Sequence, residues 1–99
     1  MTRILKSGVS VVALAERLNS LPEVRRFDDE AEREADRLAH SLSDIESSIS
    51  EILERYLPKL VEGCSADDLN AVLLDIGDEL KHVLYHARDP KYFRSLVGE

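Results

Sequence analysis

The sequence predicts an all-α protein: a long antiparallel helical hairpin, with a short N-terminal helix and a short C-terminal helical turn packed beside it. Two observations carry that class. Four glycines and three prolines in 99 residues leave few of the turn signals that a sheet of short strands needs. Two runs of apolar residues also repeat with alternating gaps of four and three, the spacing of a helix packed lengthwise on another helix. Hydrophobic residues make up 43% of the chain, enough for the core of one small helical domain over 1–99.

Residues 8–20 (GVSVVALAERLNS) read as a short helix with Val11, Leu14, Ala15 and Leu18 on one side, ended by Leu21-Pro22. Arg3 and Lys6, the apolar stretch from Val9 to Leu14, and Ala13-x-Ala15 together imitate a signal peptide. The stretch is too short and is broken by serine, and helical spacing runs on through ERLNSL. These residues are therefore expected to belong to the fold.

The first long seam is Ala31, Ala35, Leu38, Leu42, Ile45, Ile49, Ile52 and Tyr56. It predicts a helix starting near Asp28 or Asp29, where acids complement the helix dipole. The helix should stop near Leu57, because Pro58 disfavours helical geometry in the residue before it. The second seam is Leu69, Leu73, Ile76, Leu80, Val83 and Ala87. Ser65 is its expected N-cap, with Asp68 three residues on as in a capping box and Cys64 placed to staple onto Leu69. This helix should end near Arg88, and Gly63 should close the turn before it. After it, Asp89 can cap a last turn with Pro90 at the first position and Tyr92, Phe93, Leu96 and Val97 on its apolar side.

A short connection makes the two long helices antiparallel neighbours. The acidic start FDDEAEREAD would then lie beside the basic end KHVLYHARDPKYFR, with Ala31 and Ala35 near Val83 and Ala87. Ser41, Ser43, Ser47, Ser48 and Ser50 fall mostly between seam positions and read as a solvated face. Tyr92 and Phe93 read as core folded over the hairpin, in preference to an exposed anchor for a partner.

Charge narrows the function. Residues 1–26 carry five bases against two acids, residues 27–80 four against sixteen, and residues 81–99 four against two, giving the net charge of −7. So acidic a middle repels phosphate backbones, so no nucleic-acid partner is expected, the Arg25-Arg26 cluster notwithstanding. One cysteine excludes an internal disulfide framework and fits a reducing compartment, the cytoplasm. No apolar run reaches the ~18 residues of a membrane span. There is no glycine-rich phosphate loop, no Gly-x-Ser-x-Gly and no carboxylate pair in a recognisable pocket, so neither an enzyme nor a bound cofactor is expected.

Apolar residues beyond the seams widen each stripe past what a two-helix hairpin can bury. Leu53, Leu60, Val72 and Leu84 are the clearest. Each such side chain left in water forgoes roughly 1.5–3 kcal/mol, so a partner is expected to cover them. That partner is a second copy completing a helical bundle, or another protein, one with a basic surface suiting the acidic middle. The expected function is therefore non-catalytic interaction: a small adaptor, chaperone or immunity-type protein, or a homodimer. The alternative is a metal-binding or metal-sensing helical protein. His82 and His86 share a helix side at a spacing that suits zinc or another transition metal, and Asp78 or Glu79 could add a carboxylate. The Glu of His-Glu-x-x-His is missing, and His40 is the one remaining histidine.

In length, acidity and hairpin pattern the chain resembles the small secreted WXG100 proteins, and Tyr85-x-x-x-Asp89 matches their Tyr-x-x-x-Asp export pattern. Their Trp-x-Gly turn is absent; the turn here is VEGCSADD. No family is assigned.

Overall fold

The computed structural model describes residues 4–63 and 65–98, and every element in it longer than an isolated bridge is helical. The helices are α1 (Val11–Asn19), α2 (Pro22–Arg25), α3 (Glu34–Glu51), α4 (Leu57–Glu62), α5 (Ala66–Arg88) and α6 (Lys91–Leu96), with a π-helical turn over Ile52–Tyr56 joining α3 to α4. The principal dimensions are 52 × 32 × 19 Å, so the molecule is a plate about two helices thick.

Local chemistry sets the helix starts. Ser10 caps α1, its hydroxyl accepting the Ala13 N–H at 3.3 Å. Ser65 caps α5 by accepting the Asp68 N–H at 3.1 Å, as its sequence signature predicts. The Cys64 staple falls outside the described residues. Leu21-Pro22 ends α1 and also opens α2, a turn the sequence reading missed, with proline at its first position. Before α1, Gly8 turns the chain in the left-handed region (φ 89°), and the Lys6 N–H donates to both Glu46 oxygens at 2.8 and 2.9 Å. This ties the N-terminal loop to α3.

Both ends of the long helix differ from expectation. Helix α3 begins at Glu34, because the acids before it hold a loop: Asp29 accepts the N–H groups of Ala31 and Glu32, and Asp28 accepts that of Glu34 at 2.7 Å. Ala31 is exposed and outside the helix. At the far end the helix passes Pro58 and runs to Glu62. Proline lacks an N–H and crowds the carbonyl four residues earlier. The π turn just ahead, where the Leu57 N–H reaches Ile52 O, widens the helix and admits it.

The expected seam packing is rotated. Ala35 is buried with Val24 and Leu38, and Leu18, Tyr92 and Phe93 pack against that cluster, to which neither Ala87 nor Val83 belongs among the described residues. The cluster is the main core, and it takes up the aromatic turn of α6 as expected, with the rings of Phe27 and Tyr92 edge to face. Along α5, Leu69, Ile76 and Val83 are half-buried, but Leu73 and Leu80 of the same seam are exposed, as is Ile49 on α3. The elements packed against α5 leave part of its wide apolar stripe in water.

Three of the five serines leave the solvated face assigned to them. Ser41, Ser43 and Ser48 are buried, because α3 is flanked by α5 on one side and α1 on the other. Gly63 has an extended backbone instead of the left-handed one of a helix terminator. A Cβ there would collide with Leu69, which explains glycine at the α4–α5 corner.

Pairs between α3 and the last two helices run in opposite directions: Glu34 with Tyr92 of α6, Ser41 with His86 and Ser48 with His82 of α5. The acidic loop ahead of α3 does lie beside basic residues at the chain's end, since Lys91 reaches Asp29 at 3.2 Å.

Candidate metal centre

Helices α3 and α5 bring all three histidines of the chain to one place. His40 and Asp44 sit one turn apart on α3, and His82 and His86 one turn apart on α5. Asp44 Oδ2 is 3.1 Å from His40 Nε2 and 3.1 Å from His86 Nε2. His86 Nε2 is in turn 3.1 Å from His82 Nε2. The ligand atoms of His40, Asp44 and His86 all lie within 4.8 Å of one another. A tetrahedral ion with bonds of about 2.0–2.1 Å separates its donors by about 3.3 Å. The group is therefore a His/His/Asp cluster capable of coordinating a metal, with a third imidazole adjoining.

Each α5 imidazole is also held from behind. Ser48 Oγ is 2.7 Å from His82 Nδ1, and Ser41 Oγ is 3.3 Å from His86 Nδ1. When each Nδ1–H donates to its serine, the tautomer is set and the Nε2 lone pairs point at Asp44 and at each other. Outer partners of this kind orient metal-binding histidines. Ser41 and Ser48 are seven residues apart on α3, matched to histidines four apart on α5.

The cluster spans a gradient from the interior to the surface. His86 is buried, Asp44 is half-buried, and His40 and His82 are exposed. Burial holds the His86 imidazole below its ordinary pKa; Asp44 opposes that shift, while His82 and His40 reinforce it. Neutral imidazole is the form that binds metal.

Of the sequence candidates, the structure joins His82 and His86 to the cluster. The carboxylate comes from Asp44 of α3; Asp78 is exposed on α5, outside the His40–Asp44–His86 group. The reading missed Asp44, although His40-x-x-x-Asp44 is itself a one-turn pair, four residues before Ser48. The proposed interface residues divide: Leu53 and Leu84 are exposed, Leu60 and Val72 half-buried. Among the described residues, no helix is long and apolar enough to cross a membrane.

Comparison with family models, with curated proteins and with solved structures gives no match for this chain.

Proposed function

We propose that this is a non-catalytic metal-binding helical protein whose ion ties α3 to α5. The observation that carries the reading is the chain of four donor atoms, His40 Nε2, Asp44 Oδ2, His86 Nε2 and His82 Nε2, each 3.1 Å from the next. With the Nδ1 protons donated to Ser48 and Ser41, two imidazole lone pairs and a carboxylate converge, which favours a cation among them. The plain alternative is a hydrogen-bonded polar cluster at a helix contact, with a proton shared between the rings. Imidazole and carboxylate donors without thiolate suit a divalent transition ion of borderline softness, zinc foremost. The role proposed is structural or sensory, since the ion's protein ligands come from both long helices.

Differential scanning of tag-free, chelator-treated protein tests the reading. Ligand at a hundred times its Kd stabilises by about 2.7 kcal/mol. In a domain of this size that raises Tm by roughly 10 °C or more. Zinc at tenfold excess should raise Tm measurably in the native protein and not in His86→Ala. No shift in the native protein would sink the proposal.

A second reading is favoured by a separate observation. Leu53, Leu73, Leu74, Leu80 and Leu84 are exposed, more large apolar side chains than scattered surface residues account for. They support an interaction protein, an adaptor, chaperone or immunity-type protein working through an antiparallel helical hairpin; the single cysteine suits a reducing compartment, the cytoplasm. The two readings are compatible, because His82 and His86 lie on one side of α5 and Leu73, Leu80 and Leu84 on another.

A further inference from the structure

We propose that α5 pairs with α5 of a second copy of this chain, antiparallel, through Leu73, Gly77, Leu80 and Leu84. This inference rests on the interaction reading and names its partner.

The surface area indicates the size of what is missing. A monomeric protein of 11.2 kDa ordinarily exposes about 5,700 Å². This chain exposes 6663 Å². The excess, about 1,000 Å², compares with the ~800 Å² that each partner gives up in a dimer interface of standard size. The radius of gyration agrees: it is 16.5 Å, against about 13 Å for a compact domain of this length.

The stripe itself points to a second copy. Leu73, Leu80 and Leu84 are 55%, 51% and 53% exposed. With Gly77 they are spaced four, three and four apart, the pattern of a helix packed along another helix. Nothing lies within 4 Å of a Cβ added at Gly77, so this glycine leaves a notch open to the surface. In an antiparallel pair centred on the stripe, Leu73 lies opposite Leu84 of the second copy and Gly77 opposite its Leu80. Each large side chain then meets a leucine or enters a notch, and the same contacts recur by two-fold symmetry. Charge selects the direction. The first turn of α5 carries Asp67 and Asp68 and its last turn carries Arg88. Antiparallel pairing opposes the two helix dipoles and keeps Asp67 and Asp68 of the two copies apart, whereas parallel pairing would set them side by side.

The test is mass by light scattering behind a sizing column, over a hundredfold range of concentration. Chelator is kept present so that a bridging ion plays no part. The native chain should run at about twice 11.2 kDa. Leu80→Glu/Leu84→Glu should run as a monomer with helical circular dichroism retained. Gly77→Leu, which fills the notch from a position with free space around it, should weaken dimerisation by about tenfold or more without loss of helicity. A native chain that is monomeric throughout overturns the proposal, as does a dimer that survives the double substitution. Binding of a hydrophobic dye separates that failure from failure of the interaction reading. A monomer that binds dye, and stops binding it in the double variant, has an open apolar face with a different occupant. A monomer that binds none loses both.

Discussion

Glu34 Oε2 accepts the backbone N–H of Tyr92 at 2.6 Å, joining the first residue of α3 to the first turn of α6 across 58 positions. The Glu34 side chain is fully buried, and its other oxygen meets Arg37 at 3.2 Å. Arg37 also pairs with Asp29, which holds Lys91. The carboxylate thus does for α6 what a side-chain cap would do, and α6 has none of its own. Glu34→Ala should cost about 2–3 kcal/mol, from one charge-assisted hydrogen bond lost and one contact to the half-buried Arg37 guanidinium removed. Denaturant titration measures the loss. Amide exchange should quicken over 92–97 before it does in α5; uniform quickening would mean that Glu34 supports the whole core.

The serines behind the histidines have a separable effect. Ser48→Ala removes the 2.7 Å contact to His82 Nδ1 and should weaken zinc binding by about tenfold. Ser41→Ala, at the longer 3.3 Å contact, should weaken it less. Calorimetric titration distinguishes these from His86→Ala, which should abolish the tight site. Equal affinities in all variants would place zinc elsewhere.

Stability should fall with pH in two stages when chelator is present. Burial holds His86 below its ordinary 6.5. As pH falls the unfolded chain takes up that proton first, so this contribution is complete above about pH 6.5 and is lost below it. The second stage comes from depressed carboxylates. The Arg37 guanidinium holds Asp29 well below the usual range, and Arg33 lowers Asp36. Their contribution is present above about pH 4 and disappears as pH falls through the depressed native values. Denaturant midpoints between pH 8 and pH 2 should show both stages, and His86→Gln should remove only the upper one.

Pro58 tests the π turn. A proline inside a regular helix costs about 3 kcal/mol, yet helix continues to Glu62 because the widened turn takes up the ring. Pro58→Ala should therefore stabilise by only about 1 kcal/mol, read from the denaturant midpoint. A gain near the full proline penalty would mean that the turn relieves nothing.

Ser43 offers a control. Its hydroxyl is buried with no hydrogen-bond partner among the described residues, so Ser43→Ala should leave stability unchanged or raise it by about 1 kcal/mol. Thermal denaturation decides it; a loss would point to a partner for the hydroxyl in solution.

What the sequence determined by itself is local in its physics. Helical class follows from composition and apolar spacing. The start of α5 follows from the Ser65 hydroxyl, which needs only the amide three residues on. The end near Arg88 and the apolar turn at Tyr92 and Phe93 were legible for the same reason. Half of the histidine cluster was legible too, because His82 and His86 share one turn. What only the tertiary structure decided depends on which side of a helix meets its neighbour. A heptad stripe on α5 broad enough to bury in two ways leaves the roll open. Ser41, Asp44 and Ser48 close it by engaging His86 and His82, which turns Leu73 and Leu80 outward. Asp44 became a candidate ligand only there, as one acid among twenty until α5 lay beside it. The helix start moved from Asp29 to Glu34 on the same principle. A carboxylate that can accept loop amides as readily as it faces a helix dipole is assigned by its surroundings.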